Sequence, residues 1–514
     1  MTLLRVLHRI RRRLLTEMLD LDPVPEPPPP RARVGGATVA PAENEEVTLR
    51  VLSLNAWGLP VAPKVTQRAA EIASAVESGG FDVVVLQEIW HRRERNLLIS
   101  RAARAGLGFY HYFNPAIGFP VPLGHDSFGT GLLVLSRFPL EGVLYHSFAL
   151  SGRPYALHEA DFVANKGVGL LRVQTPAGPV DLYVTHLLAN YNALGAPGPG
   201  DAYLPHRVGQ AYELARFIEA TSRNRFTIVC GDFNSPSDSL ELRVPTEILQ
   251  LRDAFTDANA HDGLTFATAD NKYSFGDHPM RMDYVLYKTT TTANRPRQPA
   301  GEPAWQLVDS DVFKGFFTDE RGERTPLSDH FGVQAEFVFG PRRPHACDPQ
   351  QPDTDDSGAA SSSVSSLSSS VSASSTGLAN SAASGCRTTT CAHCDEVEGT
   401  EYLATTSSHL VQVLEEVQGV IAQGRARAIA RRTGHLRRSG WCFVAALAVV
   451  AARLLLAVGP TSWSGVAALL LAVVGVCEYI LAFFFVTLEC STFTELANQV
   501  RLHLQAEQAS VGAL

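Results

Sequence analysis

The chain has 514 residues, 45% of them hydrophobic and 19% charged, which is ample material for a large core and too long for one ordinary domain. Its net charge of −8 argues against a nucleic-acid binder, which needs a basic face, although arginines cluster near both ends. Eight scattered cysteines exclude a disulfide framework, and the bulk of the chain reads as reduced and cytosol-facing.

Residues 1–20 place Leu3, Leu4, Val6, Leu7, Ile10, Leu14 and Leu15 on one helical face, with Arg5, Arg11, Arg12 and Arg13 mostly on the other. With no uninterrupted apolar run, this is not a secretory signal. It reads as a basic amphipathic helix, either packed on the body or drawn to anionic lipid. Residues 21–46 are proline-rich and form an extended linker.

A globular body is expected over 47–340. Strands are expected at Val47–Leu54, Phe81–Gln87, Thr130–Ser136, Gly167–Gln174, Val180–Thr185, Phe226–Cys230, Met282–Tyr287 and Val333–Phe339. Helical spacing covers Val65–Ser78 and His206–Thr221, and Ala193–Gly200 and Thr289–Pro303 read as loops. Many strands and few helices predict an α/β (α+β) body of two sheets packed face to face, helices outside.

Residues 341–403 are serine-rich and read as a disordered tether. Cys386, Cys391, Cys394 and His393 lie too close together for the separated ligand pairs of a zinc finger, so palmitoylation or simple thiols is the better reading. A basic juxtamembrane helix is expected over 404–440, with Leu410, Val413, Leu414, Val417, Val420 and Ile421 on one face. Within 441–490, Trp441–Val458 and Val466–Leu488 are each long enough to span a bilayer, joined by a tight turn. Arginines before the first span place that end, the body and a 491–514 tail in the cytosol. Arg453 is expected to snorkel, and Glu478 to meet Tyr479's helix face or another subunit.

The chemistry sits where apolar strands end in polar residues: Asn55, Glu88, His186, Asp232 with Asn234, and Asp329 with His330. A lone Asn after a strand is usually a turn former, and a lone His usually satisfies a local hydrogen bond. Their recurrence in one body is the equipment of metal-assisted phosphoryl hydrolysis. Arg153 and Lys166 bracket a loop that is either an ordinary turn or a phosphate or anionic-lipid contact; it does not match a nucleotide P-loop.

Asn-Ala-Trp-Gly-Leu-Pro at 55–60, Leu-Gln-Glu-Ile-Trp at 86–90, Thr-His-Leu at 185–187 and Gly-Asp-Phe-Asn-Ser-Pro at 231–236 are matched by Met-Asp-Tyr-Val-Leu-Tyr at 282–287 and Ser-Asp-His-Phe-Gly-Val at 328–333. Together with the helix from His206, this order resembles the endonuclease/exonuclease/phosphatase superfamily of DNase I-like fold. Within it, the chain is most similar to the neutral sphingomyelinases and inositol phosphosphingolipid phospholipases C. The resemblance covers about 49–339, and the hairpin extends it to the C terminus.

It implies a four-layer sandwich and Mg²⁺, with Mn²⁺ as a substitute, held by Glu88 and assisted by Asn55. It further implies His330 as general base, oriented by Asp283 with Asp329 on the same side. Asp232 and Asn234 would position water and phosphate, and His186 would donate to the phosphoryl group or the leaving oxygen. The substrate would be sphingomyelin, inositol phosphorylceramide or a lyso-phospholipid in the endoplasmic reticulum or plasma membrane, with an anionic phospholipid as activator and no nucleic acid. The alternatives are an inositol-polyphosphate phosphatase or nuclease on the same scaffold, and a catalytically inactive membrane scaffold.

Overall fold

The structure, a computed structural model, describes residues 46–114, 129–153, 156, 159, 161–162, 164–191, 201–274, 278–289, 303–341, 399–455 and 463–513. The amphipathic helix over 1–20, most of the proline-rich linker, loop residues 193–200 and 290–302, the serine-rich stretch and the cysteine–histidine cluster lie outside them.

The body begins with β1 (Val47–Asn55), α1 (Val65–Ser78), β2 (Val83–Gln87), α2 (Arg92–Arg104), β3 (Phe109–Tyr112) and β4 (Leu133–Ser136). It continues with β5 (Leu140–Ser147), β6 (Gly167–Thr175), β7 (Gly178–His186), α3 (Leu204–Thr221), β8 (Phe226–Asp232) and α4 (Leu240–Leu249). Then come β9 (Arg252–Asp253), α5 (Ala254–Ala258), β10 (Asp283–Thr289) and β11 (Ala304–Phe313). The last strands are β12 (Phe316–Thr318), β13 (Arg324–Pro326) and β14 (Gly332–Gly340). Sequence reading did not anticipate α2, β5 or β11. Charged residues fill much of α2, and β5 and β11 alternate little because they are half-exposed edge strands.

Two six-stranded sheets run in the orders β11-β14-β1-β2-β4-β3 and β5-β6-β7-β8-β10-β9. Each holds one parallel pair near its centre, β1 with β2 and β7 with β8, flanked by antiparallel neighbours. The two inner faces share one core, in which Val51, Val83 and Val134 meet Leu182, Ile228 and Val285. Helices α1 and α2 cover the outside of the first sheet through Ile72, Val76 and Leu98. Helices α3 and α4 cover the second through Val208, Leu214 and Leu242. This is the face-to-face sandwich with outer helices that the sequence predicts.

The C-terminal region differs from a body on a loose tether. One continuous helix, α6 (Gly399–Leu455, 57 residues), is followed by α7 (Trp463–Ile480), a π-helical segment (Leu481–Val486) and α8 (Thr487–Ala513). The apolar face anticipated from Leu410 to Ile421 docks on the body: Val413, Leu414, Val417 and Ile421 are buried with α3 and α4. From α8, which falls in the expected cytosolic tail, Phe493, Leu496, Val500 and Leu504 join the same core. Further along, the side chains turn outward: Trp441 is 73% exposed, Leu454 77% and Leu469 65%. Two helices here are long and apolar enough to cross a membrane, and such exposure is foreign to the core helix of a soluble domain. The Glu478 carboxylate lies 2.6 Å from His435 Nδ1 and accepts from Arg438 Nε at 3.1 Å, both from α6.

Candidate active site

A parallel strand pair delivers both of its carboxyl ends to one edge, and the antiparallel neighbours begin there. Accordingly Asn55 ends β1, Glu88 follows β2, His186 ends β7 and Asp232 ends β8, while Asp283 starts β10 and His330 precedes β14. Asp232 lies opposite Asp283 in the antiparallel register and beside His186 in the parallel one. Asn55 joins the two sheets, donating from Nδ2 to Asp232 Oδ2 at 2.9 Å and to Glu88 Oε1 at 3.2 Å.

His330 Nδ1 lies 2.9 Å from Asp283 Oδ2, and its Nε2 is 3.9 Å from Asp232 Oδ2. His186 Nε2 approaches Asp232 Oδ2 at 3.4 Å. Asn234 closes the turn after β8, its backbone N–H donating to Asp232 Oδ1 at 2.8 Å and its side-chain amide to the Leu187 carbonyl at 2.9 Å. The Asp329 carbonyl accepts from Asn271 Nδ2 at 3.1 Å, and its carboxylate accepts from the Ser328 hydroxyl at 3.2 Å. The residues anticipated at strand ends are thus brought together.

Strain gathers at the same place. Trp57, Glu88 and Asn234 are non-glycine residues in the left-handed region, with φ of 48°, 60° and 50°, a conformation that persists where the surroundings impose it. Close backbone passage adds to it. A Cβ on Gly58 would stand 2.0 Å from the Glu88 carbonyl oxygen.

Burial raises the carboxylate pKa values here and lowers that of imidazole; the neighbouring charges then decide. Burial opposes ionisation of Asp232, but the charges of His330 and His186 outweigh it and hold the carboxyl well below its usual range. Burial raises Asp283, His330's charge opposing and Asp232's reinforcing it. Burial pushes Asp329 up to about 7. His330 is held well above its ordinary value: burial favours the neutral ring, but Asp283 and Asp232 overcome it.

The donors suit a hard divalent cation. Glu88 Oε2 and Asp283 Oδ1 are buried oxygens without a hydrogen-bond partner among the described residues. Asp232, Asp283 and His330 form the described cluster whose ligand atoms lie within 4.8 Å of one another. That cluster includes neither Glu88 nor Asn55, the ligands expected from sequence; it forms because β10 brings Asp283 against Asp232.

The loop before β6 is less open than expected. Lys166 is buried and ion-paired to Asp161 at 3.2 Å, and the Arg153 guanidinium lies 4.5 Å from the Tyr203 ring centroid. Lys166 is thus paired with a carboxylate, whereas Arg153 Nε is a buried nitrogen without a hydrogen-bond partner among the described residues. Asp161 Oδ2 in turn accepts from Ala189 N at 3.1 Å and the Tyr191 hydroxyl at 2.8 Å.

Sequence reasoning missed Arg68. Its buried guanidinium donates to the carbonyls of Ala56 (2.7 Å), Trp57 (2.6 Å) and Leu327 (3.1 Å), pinning the loops after β1 and before β14. The available signal was an arginine on the apolar face of α1, between Val65 and Ile72.

Residues 52–330 match the model of the endonuclease/exonuclease/phosphatase family. The chain is 32% identical over 48% of its length to sphingomyelin phosphodiesterase 2 of Mus musculus, covering 58% of that protein. It is 29% identical over 59% of its length to a putative neutral sphingomyelinase of Drosophila melanogaster, covering 63% of it. With an inositol phosphosphingolipids phospholipase C of Saccharomyces cerevisiae it shares 26% identity over 60% of its length, covering 68% of that protein. The matched region thus spans about six tenths of the length of the mouse and fly relatives.

Proposed function

This chain belongs to the endonuclease/exonuclease/phosphatase family, and on that premise we propose that it is a membrane-anchored phosphodiesterase of phosphosphingolipids. Water attacks phosphorus, the bond from phosphorus to the ceramide oxygen breaks, and ceramide and a phosphorylated head group leave. The observation that carries this reading is the His330–Asp283 pair at 2.9 Å, set beside Asp232 and a buried Glu88 oxygen that has no hydrogen-bond partner among the described residues.

In this reading Glu88 and Asn55 would hold Mg²⁺, with the carboxylates of Asp232 and Asp283 as further candidate ligands. The ion supplies Lewis-acid stabilisation of charge on a phosphoryl oxygen. Asp283 accepts from His330 Nδ1 and so leaves Nε2 to take the proton from water, the geometry a general base requires. Asp232 and Asn234 order the water and phosphate on the opposite side of that imidazole. His186 donates a proton toward the ceramide oxygen as the bond breaks. Asp329 maintains the loop that carries His330.

The relatives' names support the sphingolipid class, and the exposed apolar helices support a substrate that stays in a bilayer. Burial of the body-proximal parts of α6 and α8 against α3 supports a body on the side of the membrane that holds both hairpin ends, and the arginine bias supports that side being the cytosol.

Full-length protein with Mg²⁺ in mixed micelles should release a phosphorylated head group from a sphingolipid, faster than phosphate from inositol polyphosphates or nicks in DNA. His330→Ala and Asp232→Ala should abolish that release. Absence of head-group release by the wild type, or unchanged rates in both variants, would sink the reading.

A further inference from the structure

One short segment joins two parts of the site that different sheets carry. Asp283 opens β10 in the second sheet, and His330 precedes β14 in the first. Phe266 lies between them, bridged in antiparallel fashion to Met280 on one side and to His330 on the other. Its N–H donates to the Met280 carbonyl at 2.9 Å, and its carbonyl accepts from Met280 N at 3.1 Å. The Phe266 ring flanks the imidazole, with centroids 4.8 Å apart and planes inclined by 45°.

Thr265, next to it and fully buried, makes the tie at both ends. Its hydroxyl oxygen accepts from the backbone N–H of Met282 at 3.0 Å and of Asp283 at 3.3 Å. Its carbonyl accepts from the N–H of Phe331 at 2.8 Å. One residue thus holds the Asp283 backbone with its side chain and the backbone beside His330 with its main chain. A hydroxyl oxygen has two lone pairs, which match the two N–H groups. Were packing its only purpose, valine would fill the same space, but it would leave two buried N–H groups unpaired.

The grip is repeated further along. Ala267 takes a left-handed φ of 55°, which turns the chain. Beyond the turn, Asn271 Nδ2 donates to the carbonyls of Ser328 at 3.0 Å and Asp329 at 3.1 Å, and the Ser274 hydroxyl donates to the Asp329 carbonyl. The His330–Asp283 contact of 2.9 Å has to be kept across two sheets whose shared core is apolar. Apolar contact has no preferred direction, so directional bonds are what set that contact.

We propose that Thr265 is a positioning residue that fastens the Asp283 and His330 segments to each other, holding the pair in the geometry from which His330 takes a proton from water. This deepens the phosphodiesterase reading and rests on it. Thr265 acts through Asp283 and His330 and takes no part in the chemistry itself.

The test compares Thr265→Val with Thr265→Ser in full-length protein with Mg²⁺ and sphingomyelin in mixed micelles, well below the melting midpoint of each. Thr265→Val should lower kcat about 10- to 100-fold and leave KM within about twofold, because a displaced base costs rate and not binding. Thr265→Ser keeps the acceptor and should stay within about threefold of wild type. In the Asp283→Asn background the pair is already broken, so Thr265→Val should cost less than about threefold more. Equal losses in the two variants, a loss confined to KM, or full additivity with Asp283→Asn would overturn the role. Should the valine variant not fold, Thr265→Ala takes its place in every comparison. Amide exchange tests the tie apart from activity: Thr265→Val should speed exchange at Met282 and Asp283, and Thr265→Ser should not. Unchanged exchange in Thr265→Val overturns the tie. Faster exchange in Thr265→Val, beside a wild type that releases no head group, leaves the tie standing and removes the phosphodiesterase reading.

Discussion

Asp283, Asp232 and Asp329 hold the pKa of the His330 imidazole above its ordinary value, against the burial that favours its neutral form. A general base works only when neutral, so kcat/KM should rise with pH through the His330 pKa. Asp283 is the nearest carboxylate, at 2.9 Å. Replacing it by Asn removes an interaction that favours the charged ring, so the His330 pKa falls and the acid limb moves to lower pH. The plateau should fall about 10²- to 10⁴-fold as the ring loses its orientation. A pH–rate profile of Asp283→Asn checks both, and an unmoved acid limb would deny His330 the role of base. Glu88 offers a second test at this scale, through its buried oxygen without a described partner. Glu88→Gln keeps the shape and removes the charge. Added Mg²⁺ should raise the Tm of the wild type by mass action and that of the variant markedly less at equal concentration. Equal shifts in the two proteins would place the ion elsewhere.

Strands position these side chains, and one tight spot lies between β7 and β8. A Cβ on Gly231 would stand 2.0 Å from the Thr185 carbonyl oxygen, an atom of the adjoining strand that cannot swing aside. Gly231→Ala should therefore cost about 1–3 kcal/mol and displace Asp232 from His186, reducing activity more than stability alone explains. Gly322→Ala is the control: its φ is +75° but its Cβ would meet nothing within 4 Å. Equal denaturation midpoints for the two variants would show that the close approach is harmless. The same strands explain what was legible in the sequence. Buried central strands such as Val83–Gln87 are apolar until their polar last residue, so Glu88, His186 and Asp232 announce themselves by position. Thr265 and Arg68 do not. One lies in a loop, the other within a helix, and both reach the site through contacts with backbone far along the chain.

At the scale of the whole molecule, the helices that carry the candidate membrane spans pack on the body as one unit. Helix α6 docks on α3 and α4 as well as on α8. His206 Nε2 at the start of α3 lies 3.1 Å from Glu489 of α8, Arg431 of α6 pairs with the same carboxylate, and Arg427 donates to the Asp201 carbonyl at 3.2 Å. The sequence showed the apolar face of α6 but not what covers it, because periodicity marks a buried face without naming its partner. The consequence is mechanical. A cleft on a loose tether would sample many orientations relative to these helices; docking fixes that relation. Gly424 is the point to test, since a side chain there would meet Pro205 at 2.5 Å and the Phe493 ring at 2.6 Å. Gly424→Leu should wedge α6 off the body, so that α3, α6 and α8 lose amide-exchange protection together. Gly419→Leu, on the same helix with nothing within 4 Å of its Cβ, should not. Hydrolysis of vesicle-borne lipid should then fall several-fold further than hydrolysis of a water-soluble phosphodiester, because only the first needs a fixed approach to the membrane. If Gly424→Leu loosens the helices and leaves both rates in their wild-type ratio, the docking serves stability and not the presentation of the cleft.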